Sequence, residues 1–223
     1  MQKFATTAPI AAVLDIQAGR VQVIAADRAD TVVEVRPADP SKGRDVKLAE
    51  QTTVEYADGV LRITATAETK NRILGPSGSV EVTVQLPAGS RVEAKAAAAE
   101  FRGVGRLGDV VFEGAQGPVK LDEAASVRLT VLDGDVSVGR LGGPAEISTQ
   151  RGGIHIAEAM SGTVTLSAQQ GDISVGAARG VSASLDAGTG YGRIHNSLKN
   201  AEGDAALNIH ATTAHGDIAA RSL

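Results

Sequence analysis

The 223-residue sequence has no cysteine and no tryptophan, and only three phenylalanines and two tyrosines. Without cysteine, neither a disulfide framework nor a cysteine–zinc site can form. So few aromatics leave little to stack on nucleobases or sugar rings. Charge is short as well. The 22 Lys and Arg against 26 Asp and Glu give a net charge of -4, which excludes a protein built chiefly to grip phosphates. Yet 43% of the residues are hydrophobic, too many for a disordered chain. Long apolar runs are missing too. The longest near the start, Ala8 to Leu14, contains Pro9 and is cut by Asp15. It is too short to cross a bilayer, and Lys3 alone does not make the basic start of a secretory signal. The expectation is a cytoplasmic chain with no transmembrane segment and no nucleic-acid partner.

What is abundant is glycine, 26 residues of it, and it recurs with a period. GPVKLDEA, GDVSVGRLGG, GGIHIAEAMSG, GDISVGAARG, GRIHNSLKN and GDIAARSL begin at Gly117, Gly134, Gly152, Gly171, Gly192 and Gly216. The steps between these glycines are 17, 18, 19, 21 and 24 residues. AEFRGVGRLG is a weaker earlier copy, with Ala99 in the glycine place. Between the copies lie second alternating segments: Val127–Val131, Ala145–Thr149, Thr163–Ala168, Ser182–Ala187 and Leu207–Ala211. Alternation of period two marks half-buried strands, and the glycines mark turns. Two short strands bury no face by themselves, whereas stacked coils do.

The predicted fold is therefore all-β: a β-solenoid, a right-handed, mostly parallel β-helix with repeats of about 18 residues. One interior column would run Val119, Val136, Ile154, Ile173, Ile194, Ile218, and a second Leu129, Ile147, Leu166, Leu185, Ile209. So thin an interior is filled by aliphatic side chains, which accounts for the scarcity of rings. Residues 1–90 alternate less regularly, and Asp58-Gly59 is a hairpin signal. They are expected to form an antiparallel, sandwich-like, strand-rich cap, with residues 91–223 forming the solenoid. No helix is expected.

The motifs that tempt a chemical reading fit the repeat better. GVGRLG, Gly103 to Gly108, has dinucleotide-loop spacing with Asp122 beyond it, but a strand follows where a helix would be needed. Asp135, Asp172 and Asp217 follow repeat glycines, where Asp suits a turn. His155 and His195 occupy the polar middle of the triplet, and His210 and His215 lie near the last turn, so no converging metal ligands are expected. GPSGS, Gly75 to Ser79, with Lys70 and Arg72 nearby, reads as a hairpin tip. The widened steps near the end read as projecting loops, TGYGR and SLKNAEGDA. Loops on a rigid scaffold are where binding residues gather, which makes Tyr191, Arg193, Lys199 and Asn200 the candidate binding residues. No catalytic residue, cofactor or metal site is assigned.

The GDVSV- and GDISV-type triplets after a strand-rich head resemble the bacterial "putative adhesin" family, β-strand-repeat proteins of unknown function. The resemblance runs from AVLDIQAGRVQV to HGDIAARSL, and VEVTVQLPAGSRVEAK is similar to actinobacterial members. It implies a β-solenoid with a binding or structural role and no catalytic residues. The expected function is thus non-enzymatic: an adhesin-like binding or scaffold protein that meets protein partners or surfaces, glycan or envelope among them, through solenoid faces and loops. The alternatives are a self-assembling, bactofilin-like structural element, whose last coil would leave open strand edges, and a polysaccharide-active β-helix enzyme.

Overall fold

A computed structural model describes residues 1–65, 78–200 and 205–223. Lys70, Arg72 and most of the GPSGS string lie outside the described residues. Among the described residues the fold is all-β with one nine-residue helix, and the chain forms two compact units, Met1–Gln116 and Gly117–Leu223. These units follow packing, whereas the expected division at residue 90 follows repeat regularity.

In the first unit, the long strand β2 (Ala11–Ala26) pairs in parallel with β7 (Arg91–Gln116) along one edge. Its other edge pairs in parallel with β5 (Val60–Ala65) and β6 (Val80–Pro87). Stacked parallel layers therefore begin near residue 11, within the stretch expected to be antiparallel. Three strands supply the antiparallel part. β3 (Asp30–Pro37) pairs with β6, β1 (Gln2–Ala5) with β3, and β4 (Thr53–Ala57) with β5. The β4–β5 hairpin turns at Asp58-Gly59, with both residues at positive φ, as that dipeptide predicts.

Helix α1 (Gly43–Gln51) corrects the expectation of none. Its sequence is weakly helical and is held from outside: Leu48 is buried, and the buried Asp45 carboxylate accepts the N–H groups of Asp39 (3.2 Å) and Ser79 (3.0 Å). Two rings also enter the core despite the thin interior. Phe101 and Phe112 pack with centroids 5.0 Å apart. Gly114 makes the room, since a Cβ there would lie 2.5 Å from the Phe112 ring.

The second unit consists of two-walled parallel layers. β8 (Val119–Asp133) pairs with both β9 (Val136–Leu141) and β10 (Ala145–Arg151). β11 (Ile154–Ala159) stacks on β9, β12 (Gly162–Gln170) on β10, and β13 (Ile173–Ala177) on β11. There the order of the layers departs from the order of the chain. The layer on top of β12 and β13 is the last in sequence, β16 (Leu207–His215) with β17 (Ile218–Ser222). The layer of β14 (Ala183–Tyr191) and β15 (Ile194–Ser197) lies beyond it. The chain passes over one level, builds the next, and returns to fill the space.

The first interior column has the predicted members in a different order: Val119, Val136, Ile154, Ile173, Ile218, Ile194. The first five are buried and Ile194 is 46% exposed. The second column slips by two residues. Leu166 faces Ala211, and Leu185 and Ile209 instead continue the column of Val127, Ala145 and Val164. The terminal edge is therefore β14–β15, and β17 is paired on both sides.

Candidate functional site

The layers are joined at a corner where the repeat glycines stack. Their φ angles lie between +126° and +157°, a region that L side chains avoid. The packing is as demanding as the dihedral: a Cβ on Gly134 would lie 2.2 Å from the carbonyl oxygen of Gly117, and one on Gly192 would lie 1.9 Å from that of Gly216. Aspartates after three of these glycines complete the corner. Asp135 Oδ1 accepts the N–H of Gly153 at 2.8 Å, Asp172 Oδ1 that of Asp217 at 2.7 Å, and Asp217 Oδ1 that of Arg193 at 2.8 Å. The recurring aspartates are thus rungs between layers, with their carboxylates aimed at backbone. The last two of these bonds follow the order in space, 171 to 216 to 192, the same threading that the strand pairing gives.

GVGRLG lies inside β7. Gly105 sits at φ +78°, where a Cβ would be 2.1 Å from the Ala25 carbonyl oxygen, so its glycine serves close strand packing. The exposed walls carry cross-layer ion pairs: Arg128–Glu146 (3.1 Å), Arg151–Asp133 (2.9 Å) and Arg140–Glu158 (3.5 Å). His155 and His195 are exposed on one wall. His210, exposed on the other, lies 3.4 Å from Asp186.

All four predicted binding residues fall on the terminal layer. Tyr191 ends β14, is 75% exposed, and stacks on His215 with centroids 5.1 Å apart. Arg193 stands at the corner with its side chain exposed. Lys199 and Asn200 follow β15 and tie the far corner. The Lys199 carbonyl accepts the Ala183 N–H (3.3 Å), its N–H donates to Ser222 Oγ (2.8 Å), and Asn200 Oδ1 accepts the Ser182 hydroxyl (2.6 Å). TGYGR is strand and corner, not a projecting loop, and residues 201–204 lie outside the described residues. The widened steps are explained by the crossings that skip one level and return.

Sequence reasoning missed the edge these residues surround. Among the described residues, β14 pairs only with β16, and β15 only with β17. Leu207 donates its N–H to the Ser182 carbonyl, so strand alternation turns the N–H and C=O of Leu185, Ala187 and Thr189 away from β16. Their side chains point inward, where Leu185 is half-buried. The terminal layer therefore offers both unpaired backbone and uncovered core.

The Toastrack DUF4097 family matches residues 13–221, nearly the whole chain. The chain belongs to that family. Among solved structures, a "putative adhesin" from Bacteroides fragilis resembles this Toastrack chain with a TM-score of 0.59 and 15% identity, covering 98% of this chain and 95% of its own. At that identity the likeness concerns the fold alone. A "putative adhesin" from Parabacteroides distasonis gives a TM-score of 0.49 at 16% identity, and a "putative lipid binding protein" from the same species 0.46 at 13%, each with 98% and 95% coverage. No curated protein matches. Among the described residues of the Toastrack fold, no helix is long and apolar enough to cross a membrane.

Proposed function

We propose that this Toastrack protein is a non-catalytic, adhesin-like binding or scaffold protein that engages a protein partner at its terminal layer, on a right-handed solenoid. The observation that carries the reading is the one-sided pairing of β14 and β15, ringed by Tyr191, Arg193, Lys199 and Asn200. Strand edges recruit partners by backbone hydrogen bonding, and nearby side chains supply selectivity. Exposed aromatic and arginine side chains are the residue types that anchor such contacts. The Bacteroides fragilis neighbour is called a "putative adhesin", a name in keeping with a binding role. The corner aspartates, the residues a polysaccharide-cleaving reading would need, have their carboxylates committed to backbone N–H groups of the next layer.

Site-specific photo-cross-linking in the native host tests the reading. A probe at Tyr191 should yield discrete protein adducts that a probe at Ser137, on the opposite wall, does not. Adducts from Ser137 alone, or polysaccharide cleavage abolished by Asp172→Asn, would replace it. Self-assembly is favoured as a second reading by the same open edge.

A further inference from the structure

We propose that the occupant of the β14 edge is a second copy of this chain, joined end to end about a two-fold axis into a closed dimer. The proposal rests on the terminal layer being the binding surface and names its partner.

The terminal layer has two walls, β14 and β15, and between them the aliphatic interior is open, with Ile194 46% exposed and Leu185 half-buried. An added peptide strand would pair with one wall and leave that interior in water. A second two-walled end covers both.

The sequence of β14, ASLDAGTGY, is self-complementary in the antiparallel sense. With Ala187 on the axis, Ala187 meets its own copy and Leu185 faces Thr189, and the pairing stops short of Ala183, whose outward N–H the Lys199 carbonyl already takes. On the outer side Asp186 faces Gly188 and Ser184 faces Gly190. No like charges stand directly opposite, and the two copies of Asp186 lie only on the diagonal, so the register avoids the strongest cross-strand repulsion. The outward N–H and C=O groups of Leu185, Ala187 and Thr189 would pair across the axis, and the small side chains let the backbones approach.

The edges of the first unit are blunted in ways β14 is not. There β5 is covered by β4, and β6 by β3. Strands β1 and β4, each paired on one side only among the described residues, have four and five residues and carry Lys3, paired with Asp30 at 2.8 Å, and Glu55. Short, charged edges resist pairing. A contact between the β14 edge and the same edge of a second copy is isologous, so it closes at two copies and builds no filament. The end is small as well. Nine residues span about 30 Å and the walls stand about 10 Å apart, less than the roughly 800 Å² per partner of stable complexes. The dimer therefore forms and dissociates with concentration.

Sedimentation equilibrium from about 1 μM to about 1 mM, the range where weak association shows, is paired with hydrogen exchange at both extremes. The expected mass rises from 22.7 kDa toward twice that value and stops there. The amides of Leu185, Ala187 and Thr189 should exchange at least tenfold more slowly at the high concentration. Ala187→Pro removes an outward N–H and should stay monomeric, its fold checked by circular dichroism. The exchange measurement needs no variant, so it decides the matter should that substitution unfold the chain. A mass fixed at 22.7 kDa, growth past two copies, or a dimer with unchanged β14 amides would each overturn the proposal. A fixed monomer that still forms Tyr191 adducts would leave the binding reading standing.

Discussion

At the residue scale, the corner shows how little freedom a repeated position has. Gly152 sits at φ +133°, and a Cβ would lie 2.2 Å from the Gly134 carbonyl oxygen. Gly152→Ala must strain the dihedral and push two layers apart, a destabilisation of about 2–4 kcal/mol by chemical denaturation. Asp172→Ala leaves the Asp217 N–H without its acceptor and should cost about 1–2 kcal/mol, read as a lower unfolding midpoint. One titration is specific enough to follow. Hydrogen bonds from Arg28 and then Lys3 hold the Asp30 carboxyl at about 2, below its ordinary 3.8. A depressed carboxyl stabilises the fold above its unfolded pKa and loses that contribution as pH falls through the folded value. Stability from this group should therefore be complete above pH ~4 and fade toward pH ~2. Asp30→Asn should remove that part of the acid dependence in pH-dependent thermal melts.

At the scale of elements, position in the stack decides what a side chain contributes. Ile173 and Ile194 hold the same place in the repeat, yet one lies between two layers and the other on the end. Ile173→Ala should cost about 2–5 kcal/mol and Ile194→Ala much less, because the second leaves no enclosed cavity. The alternation of GDVSV and GDISV was enough to read the strands, the corner glycines and the membership of the first interior column. What could not be read was which layer neighbours which, since Ile194 and Ile218 have the same local pattern and only pairing tells them apart. The extra residues in the last two steps were the visible sign of the crossing, but a loop and a crossing lengthen the chain alike. The candidate site was legible to the same degree: Tyr191, Arg193, Lys199 and Asn200 mark the right region, while the unpaired edge of β14 is a property of topology. Helix α1 escaped for a different reason. Its support comes from the distant N–H of Ser79 and from burial of Leu48, and neither lies in the local sequence.

At the scale of the whole molecule, the inserted layer couples two segments that a regular stack would keep apart. β14 and β15 have β16 and β17 as their strand partners among the described residues, so any opening that releases the latter also releases the former. Native-state hydrogen exchange should find no amide of β14 or β15 better protected than the most stable amide of β16 or β17. A terminal layer that survives the opening of its neighbour would contradict the pairing. The same threading bears on synthesis. A ribosome makes residues 183–197 before residues 207–222, so the strands of the outer layer emerge with no surface of their own to join. For that interval the nearest open edge is the β12–β13 layer, which β16 and β17 must later occupy, so early pairing there would put the layers in the wrong order. The open end of the finished molecule is thus also the part of the polypeptide most exposed to wrong partners while it is being made.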